Sequence, residues 1–97
     1  MGTRYLIDTH ILLWWVFDDP KLDEISREII KNPCHQILVS SASAWEIATK
    51  YRIGKLPEAQ ELIENYQGFL EKARFLELKI TNIHALRAGL FPIAHRD

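Results

Sequence analysis

Two acidic residues, Asp8 and Glu46, stand where carboxylates could hold a metal ion. Asp8 directly follows a short apolar run at residues 5–7, and Glu46 lies in the first turns of a helix predicted after a second apolar run at 36–40. Because neighbouring parallel strands end at the same edge of a sheet, we expect the two carboxylates to lie close together. Two converging oxygen ligands are the least that a hard cation such as Mg²⁺ needs. Such an ion can lower the pKa of a bound water, orient a phosphodiester and neutralise the charge that develops in the transition state.

Both carboxylates also have a purely structural interpretation. Asp8, at a junction between a strand and a helix, is a suitable N-cap for the helix that follows. The segment Ser43-Ala-Trp-Glu46 fits a capping box, in which the glutamate only accepts a hydrogen bond from a backbone N–H. The spacing favours caps and metal ligands about equally, so both interpretations stay open on the residues alone.

The apolar pattern along the chain alternates between strands and helices. Alternation of this kind predicts an α/β fold built on a parallel sheet, with its functional crevice beyond the carboxyl ends of the strands. We predict strands at residues 5–7, 36–40 and 75–80, and helices at about 10–17, 22–32, 41–51, 57–69 and 81–89.

Composition is typical of an ordinary globular protein. The chain has 97 residues, enough for one domain, of which 47% are hydrophobic and 26% charged. Twelve basic and thirteen acidic residues give a net charge of -1, which is no electrostatic footprint for nucleic acid, so any binding of nucleic acid must come from a local patch or a metal. The single cysteine, Cys34, excludes an internal disulfide and favours a reduced cytoplasmic protein. The apolar run at 10–17 is too short to span a membrane, so we predict no membrane association.

Short segments around the two acids form a pattern that covers essentially the whole chain. They are Tyr5-Leu-Ile-Asp-Thr-His10 with Leu12-Leu13-Trp14, Ser40-Ser-Ala-Ser-Ala-Trp-Glu-Ile47, Lys50-Tyr51, Gly54-Lys55-Leu56, His84-Ala85 and His95-Arg96-Asp97. Together and in this order they resemble the motifs of the VapC-type toxins of the PIN-domain ribonuclease family.

The resemblance implies both a fold and an activity. The fold would be a PIN-like (Rossmann-like) three-layer sandwich with a central parallel sheet. The activity would be that of an endoribonuclease dependent on Mg²⁺ or Mn²⁺, acting as the toxin of a type II toxin–antitoxin pair. Asp8 and Glu46 would then be the catalytic, metal-binding acids. Thr9 and Ser43 would be hydroxyls that position water or substrate.

The same resemblance places a third acidic residue a few positions after a His-Arg-Asp tract like 95–97. That residue, with a final helix and strands, would fall beyond Asp97. We therefore expect residues 1–97 to be a single PIN-like domain that is incomplete at its C-terminus, with Asp97 as a substitute metal ligand. Because Asp8 and Glu46 alone are few anionic ligands, we expect this chain by itself to be a weak or inactive nuclease.

Basic and aromatic residues suggest binding surfaces near these acids. Lys50, Arg52 and Lys55 are candidates to hold RNA phosphates, although each taken singly is better explained as a cation at a helix end. Trp14 and Trp15 are neighbours on a helix and point roughly 100° apart, so one of them is a candidate for a partner interface unless both pack in the core. The resemblance implies a homodimer and a cognate antitoxin that lies across the first helices.

A competing hypothesis is a protein without catalysis. On that hypothesis the chain would be a module that binds an antitoxin or a sister protomer through its N-terminal helices. The two hypotheses differ at Asp8. An Asp8→Asn change should abolish cleavage if the chain is a nuclease, and should leave antitoxin binding intact if it is only a binding module.

Overall fold

The computed structural model describes residues 3–79, and the chain there alternates between strands and helices as predicted. The elements are β1 (Arg4–Ile7), α1 (Thr9–Val16), α2 (Glu24–Lys31), β2 (Gln36–Ser40), α3 (Ser41–Arg52), a 3-10 turn (Pro57–Ala59), α4 (Gln60–Glu64), α5 (Tyr66–Ala73) and β3 (Phe75–Leu78). None of the helices in this part of the chain is long and apolar enough to cross a membrane.

The three strands of the described residues form one parallel sheet in the order β1-β2-β3. Ile7 is level with Val39, and Val39 is level with Glu77. All three strands therefore end at the same edge. The predicted α/β class with a parallel sheet is confirmed.

Helix boundaries follow from local chemistry. Ser40 caps α3 by accepting a hydrogen bond from the backbone N–H of Ala42 at 2.9 Å. At the other end Gly54 takes a φ of +80°, and the N–H groups of Gly54 and Lys55 donate to the carbonyls of Tyr51 and Lys50. This is the Schellman arrangement, which a glycine enters without steric cost.

The helix predicted over 57–69 is instead broken into the 3-10 turn, α4 and α5. The break lies at Asn65, whose φ of -137° and ψ of 43° are not helical. The Asn65 side chain lies so close to Gly68 that a Cβ at that position would collide with it. Asparagine competes well with helical hydrogen bonding, and the missing side chain at Gly68 makes room for the break.

The core lies on one face of the sheet. Ile7, Ile37, Val39 and Phe75 point to that face and join a single buried cluster with residues from all five helices found within residues 3–79. The opposite face presents a row of leucines outside this cluster: Leu6, Leu38, Leu76 and Leu78. The row is half-buried except for Leu76, which is 48% exposed. The predicted helix at 81–89 lies outside the described residues, and the second helical layer of the predicted sandwich stays a prediction.

Candidate metal centre

The carboxyl edge of the sheet carries the two chain segments that contain the predicted acids. Because Ile7 and Val39 are in register, the residues that follow them, Asp8 and Ser40, emerge side by side. Helix α1 begins directly after Asp8, and α3 begins directly after Ser40. Glu46 therefore returns toward the start of α1 from the second turn of α3.

A buried hydroxyl joins the two segments. The Oγ1 atom of Thr9 lies 2.7 Å from Oε1 of Glu46 and 2.9 Å from Oγ of Ser43. A hydroxyl carries one proton, so Thr9 donates to the charged carboxylate and accepts from Ser43, since bonds to ionised acceptors are the stronger ones. Thr9 is 7% exposed and Ser43 is 3% exposed, so neighbouring atoms hold both hydroxyls in place. These contacts bring Thr9, Ser43 and Glu46 together.

The structure shows which of the two acids serves as a helix cap. Asp8 does cap α1, because its Oδ1 accepts a hydrogen bond from the backbone N–H of Ile11 at 2.9 Å. Glu46 does not belong to a capping box. The N-cap of α3 is Ser40, and Ser43 lies buried inside the helix. The Glu46 carboxylate instead faces Thr9, on a different helix.

The surroundings of Glu46 favour its charged form. The hydrogen bond from Thr9 lowers the pKa of the Glu46 carboxyl below its ordinary value and outweighs the partial burial that raises it. The Lys50 ammonium lowers this pKa further, with its Nζ 3.1 Å from Glu46 Oε2. Glu46 is therefore ionised at neutral pH, as a metal ligand must be.

The donors at this edge are oxygens, which is the ligand type that Mg²⁺ and Mn²⁺ prefer. Asp8 and Glu46 supply carboxylates, and Thr9 and Ser43 supply hydroxyls beside them. Within residues 3–79 no group of three or more His, Cys, Asp or Glu side chains is arranged to hold a metal. The chemistry of these oxygen donors fits a hard cation, and two of the donors are carboxylates. The predicted ligand Asp97 lies outside the described residues.

Two of the three predicted RNA-binding cations lie on a groove next to these acids. The groove, of about 480 Å³, runs between α1 and the segment after α3. We call it the lysine groove, from Lys21, Lys50 and Lys55, which line it together with Trp14, Asp19 and Glu58. Arg52, the last residue of α3, is exposed and is not one of its lining residues. Sequence reasoning missed Lys21, because its loop reaches the groove only in the folded chain.

The most exposed tryptophan is neither of the two that were predicted as candidates for a partner interface. Trp14 and Trp15 are both half-buried and pack against the core, Trp14 with its ring 6.2 Å from that of His10 and Trp15 with its ring 6.3 Å from that of Phe75. The exposed tryptophan is Trp45, at 72%. It lies two positions before the buried Ile47, roughly 200° around the helix, and this angle could have been used to predict its exposure.

Comparison with known proteins agrees with this geometry. The family model described as PIN domain matches residues 5–96. The chain is 30% identical over 79 residues to "Ribonuclease VapC16" of Mycobacterium tuberculosis, a match that takes in 73% of this chain and 56% of that protein. The chain thus spans little more than half the length of this relative. No solved structure matches it significantly.

The chain belongs to the PIN-domain family. The resemblance to its VapC-type members, predicted from the motifs around Asp8 and Glu46, is confirmed.

Proposed function

We propose that this chain is a metal-dependent endoribonuclease that acts as the toxin of a toxin–antitoxin pair. The family supports this assignment, since its relative from Mycobacterium tuberculosis is a ribonuclease of the VapC type. The observation that carries the proposal is the hydrogen bond from Thr9 to Glu46, which ties the residue after Asp8 to an acid 37 positions away. A helix cap does not account for this contact between two helices, and the contact supports a shared binding site.

PIN-domain ribonucleases are generally dependent on divalent metals. In this chain we propose Asp8 and Glu46 as the residues that hold Mg²⁺ or Mn²⁺. When bound, such an ion would supply the positive charge that activates water and stabilises the transition state of phosphodiester hydrolysis. Thr9 fixes the direction of the Glu46 carboxylate, and Ser43 fixes Thr9. Both hydroxyls thus keep the site organised before a ligand arrives.

We propose that the lysine groove carries the RNA strand to these acids. Its three lysines outnumber its two acidic residues, and this supplies the local positive patch that the net charge of the chain does not. The ring of Trp14 lines the same groove and offers a surface on which a base can stack. Arg52 would assist only from outside the groove.

Proteins of the VapC family generally pair with a VapB antitoxin. A cognate antitoxin and a homodimer are therefore part of the proposal, with the half-buried Trp14 and Trp15 on α1 as candidate contacts. The exposed, free Cys34 supports a cytoplasmic, reducing location. If the chain proves to be only a binding module, α1 remains the surface that would take the antitoxin.

The proposal is tested by RNA cleavage in the presence of Mn²⁺, with Glu46→Gln as the informative variant. Its control is Glu64→Gln, because Glu64 is exposed on α4 and its carboxylate accepts a hydrogen bond from Gln60 at 3.1 Å instead of from a residue of the site. We expect Mn²⁺-dependent cleavage, however slow, to fall at least ~100-fold in Glu46→Gln and to be unchanged in Glu64→Gln, since changes that merely disturb a metal ligand cost 10- to 100-fold. Cleavage that persists in Glu46→Gln, or that needs no metal, would contradict the proposal.

A further inference from the structure

Lys50 touches both the acidic site and the groove. Its ammonium Nζ lies 3.1 Å from Oε2 of Glu46, and its side chain lines the lysine groove. Helical spacing alone explains why the two residues are near each other, because Glu46 and Lys50 are four positions apart on α3. The position of Lys50 on the groove is a second and separate observation.

Both oxygens of the Glu46 carboxylate are in use. Oε1 is held by Thr9 at 2.7 Å, and Oε2 is held by Lys50 at 3.1 Å. Each carboxylate oxygen has a second lone pair, so Thr9 can keep its bond to Oε1 when an ion binds. The Lys50 ammonium, in contrast, occupies the space beside Oε2 and repels a divalent cation. Thr9 is buried and fixed, whereas the side chain of Lys50 is 35% exposed and ends a flexible stem. Lys50 is the partner that yields.

We propose that Lys50 is the resident counter-cation of Glu46, which a divalent ion displaces when it enters the site. This inference rests on the proposed function, since it requires Glu46 to be a metal ligand. An ammonium brings one positive charge to the carboxylate and a divalent ion brings two, so the Coulomb attraction favours the metal at equal distance. The ion pair is partly exposed, so it is weak enough to be broken without large cost.

The displaced Lys50 would take a second role, in binding RNA. Because its side chain lines the groove, its ammonium stays on the surface that also carries Lys21 and Lys55. A phosphate of the substrate is the anion that this surface is suited to bind. Lys50 would thus hold Glu46 in place in the metal-free protein and contact RNA in the metal-loaded protein, so that one side chain serves the two states in turn.

The test measures Mn²⁺ affinity, without RNA, by the electron paramagnetic resonance signal of free Mn²⁺. Removing the competitor in Lys50→Met should tighten Mn²⁺ binding by about two- to fivefold, the range expected for a half-exposed ion pair. Lys55→Met is the matched control, because Lys55 lines the same groove and is not paired with Glu46. In 0.15 M salt, where the Debye length is about 8 Å, its removal should change the affinity by less than about 1.5-fold. Lys50→Arg, which keeps the charge, should stay close to the wild-type value.

The outcomes separate this inference from the proposed function. If Lys50→Met and Lys55→Met have the same Mn²⁺ affinity while Glu46→Gln weakens it, the metal site stands and Lys50 is only a helix-stabilising partner. If Mn²⁺ binds no more weakly to Glu46→Gln than to the wild type, Glu46 is not a ligand and both proposals fail. Circular dichroism of each variant confirms that the fold is kept.

Discussion

The first turns of α1 and α2 are capped alike. At α1 the Oδ1 atom of Asp8 accepts a hydrogen bond from the N–H of Ile11 at 2.9 Å, and at α2 the Oδ1 atom of Asp23 accepts one from the N–H of Ser26 at 2.7 Å. What lies around the two caps differs. Asp23 is exposed, whereas Asp8 is followed by Thr9, which is buried and bonded to Glu46.

At the start of both helices a hydroxyl is bonded to a carboxylate, but the carboxylate belongs to the same helix in one case and to another helix in the other. At α2, Ser26 lowers the pKa of Asp23 through a side-chain and a backbone hydrogen bond, and both groups belong to one helical turn. At α1, Thr9 lowers the pKa of Glu46 across 37 positions of sequence. A cap is therefore a local feature that stabilises one helix, and a candidate site arises where the sheet brings a second helix to the cap.

The largest expected difference between the two helix starts is the effect on RNA cleavage of removing the negative charge of the capping aspartate. In both Asp8→Asn and Asp23→Asn the asparagine still caps the helix, so folding should be kept in each. Asp8→Asn should lower Mn²⁺-dependent RNA cleavage at least ~100-fold, because even changes to residues that only orient a metal ligand cost 10- to 100-fold. Asp23→Asn should leave the cleavage rate unchanged. Equal rates for the two variants would show that the caps are equivalent and that Asp8 is purely structural.

A smaller difference is expected for the two hydroxyls. Thr9→Val keeps the shape of the side chain and removes its hydrogen bond to Glu46, so cleavage should fall about 10- to 100-fold. Ser26→Ala removes a bond within α2 alone and should not change the rate. In Thr9→Val the pKa of Glu46 should also rise toward its ordinary value, because the lost bond favoured the charged form. A carbon NMR titration of Glu46 measures this shift, and an unchanged pKa would contradict the account.

The sign of this effect on stability follows from the direction of the shift. A carboxyl whose pKa is lower in the folded protein stabilises the fold above its unfolded pKa, and this contribution is lost as the pH falls through the lowered value. Thr9→Val removes part of the pKa shift of Glu46. The free energy of unfolding of this variant should therefore fall below that of the wild type, and the difference should be larger at pH 7 than at acid pH. Urea unfolding of both proteins at several pH values measures the gap.

Much of the fold could be predicted because its signals are local. Apolar runs marked the three strands, and glycine and proline marked the ends of several helices. The helix predicted over 57–69 failed at Asn65, where the contact with Gly68 outweighed an apolar face with helical spacing. The helix propensity of such a stretch is a weak preference, and a single local contact can override it.

The candidate site could be predicted only in part, because its decisive contacts are not local. Asp8 and Glu46 were recognised by their positions and by the family motifs. The residues alone left two interpretations of Glu46 open, a capping box with Ser43 and a metal ligand. Its actual partner, Thr9, belongs to another helix. Lys21 enters the groove for the same reason, through a loop that only the fold brings there.

The central claim is that Asp8 and Glu46 form one divalent-metal site. Calorimetric titration of the metal-free chain with Mn²⁺ tests it most directly, using the wild type, Asp8→Asn, Glu46→Gln, and Asp23→Asn as the control. We predict saturable binding to the wild type and to Asp23→Asn, and binding at least ~10-fold weaker in each of the other two. Equal affinity in all four proteins would contradict the account.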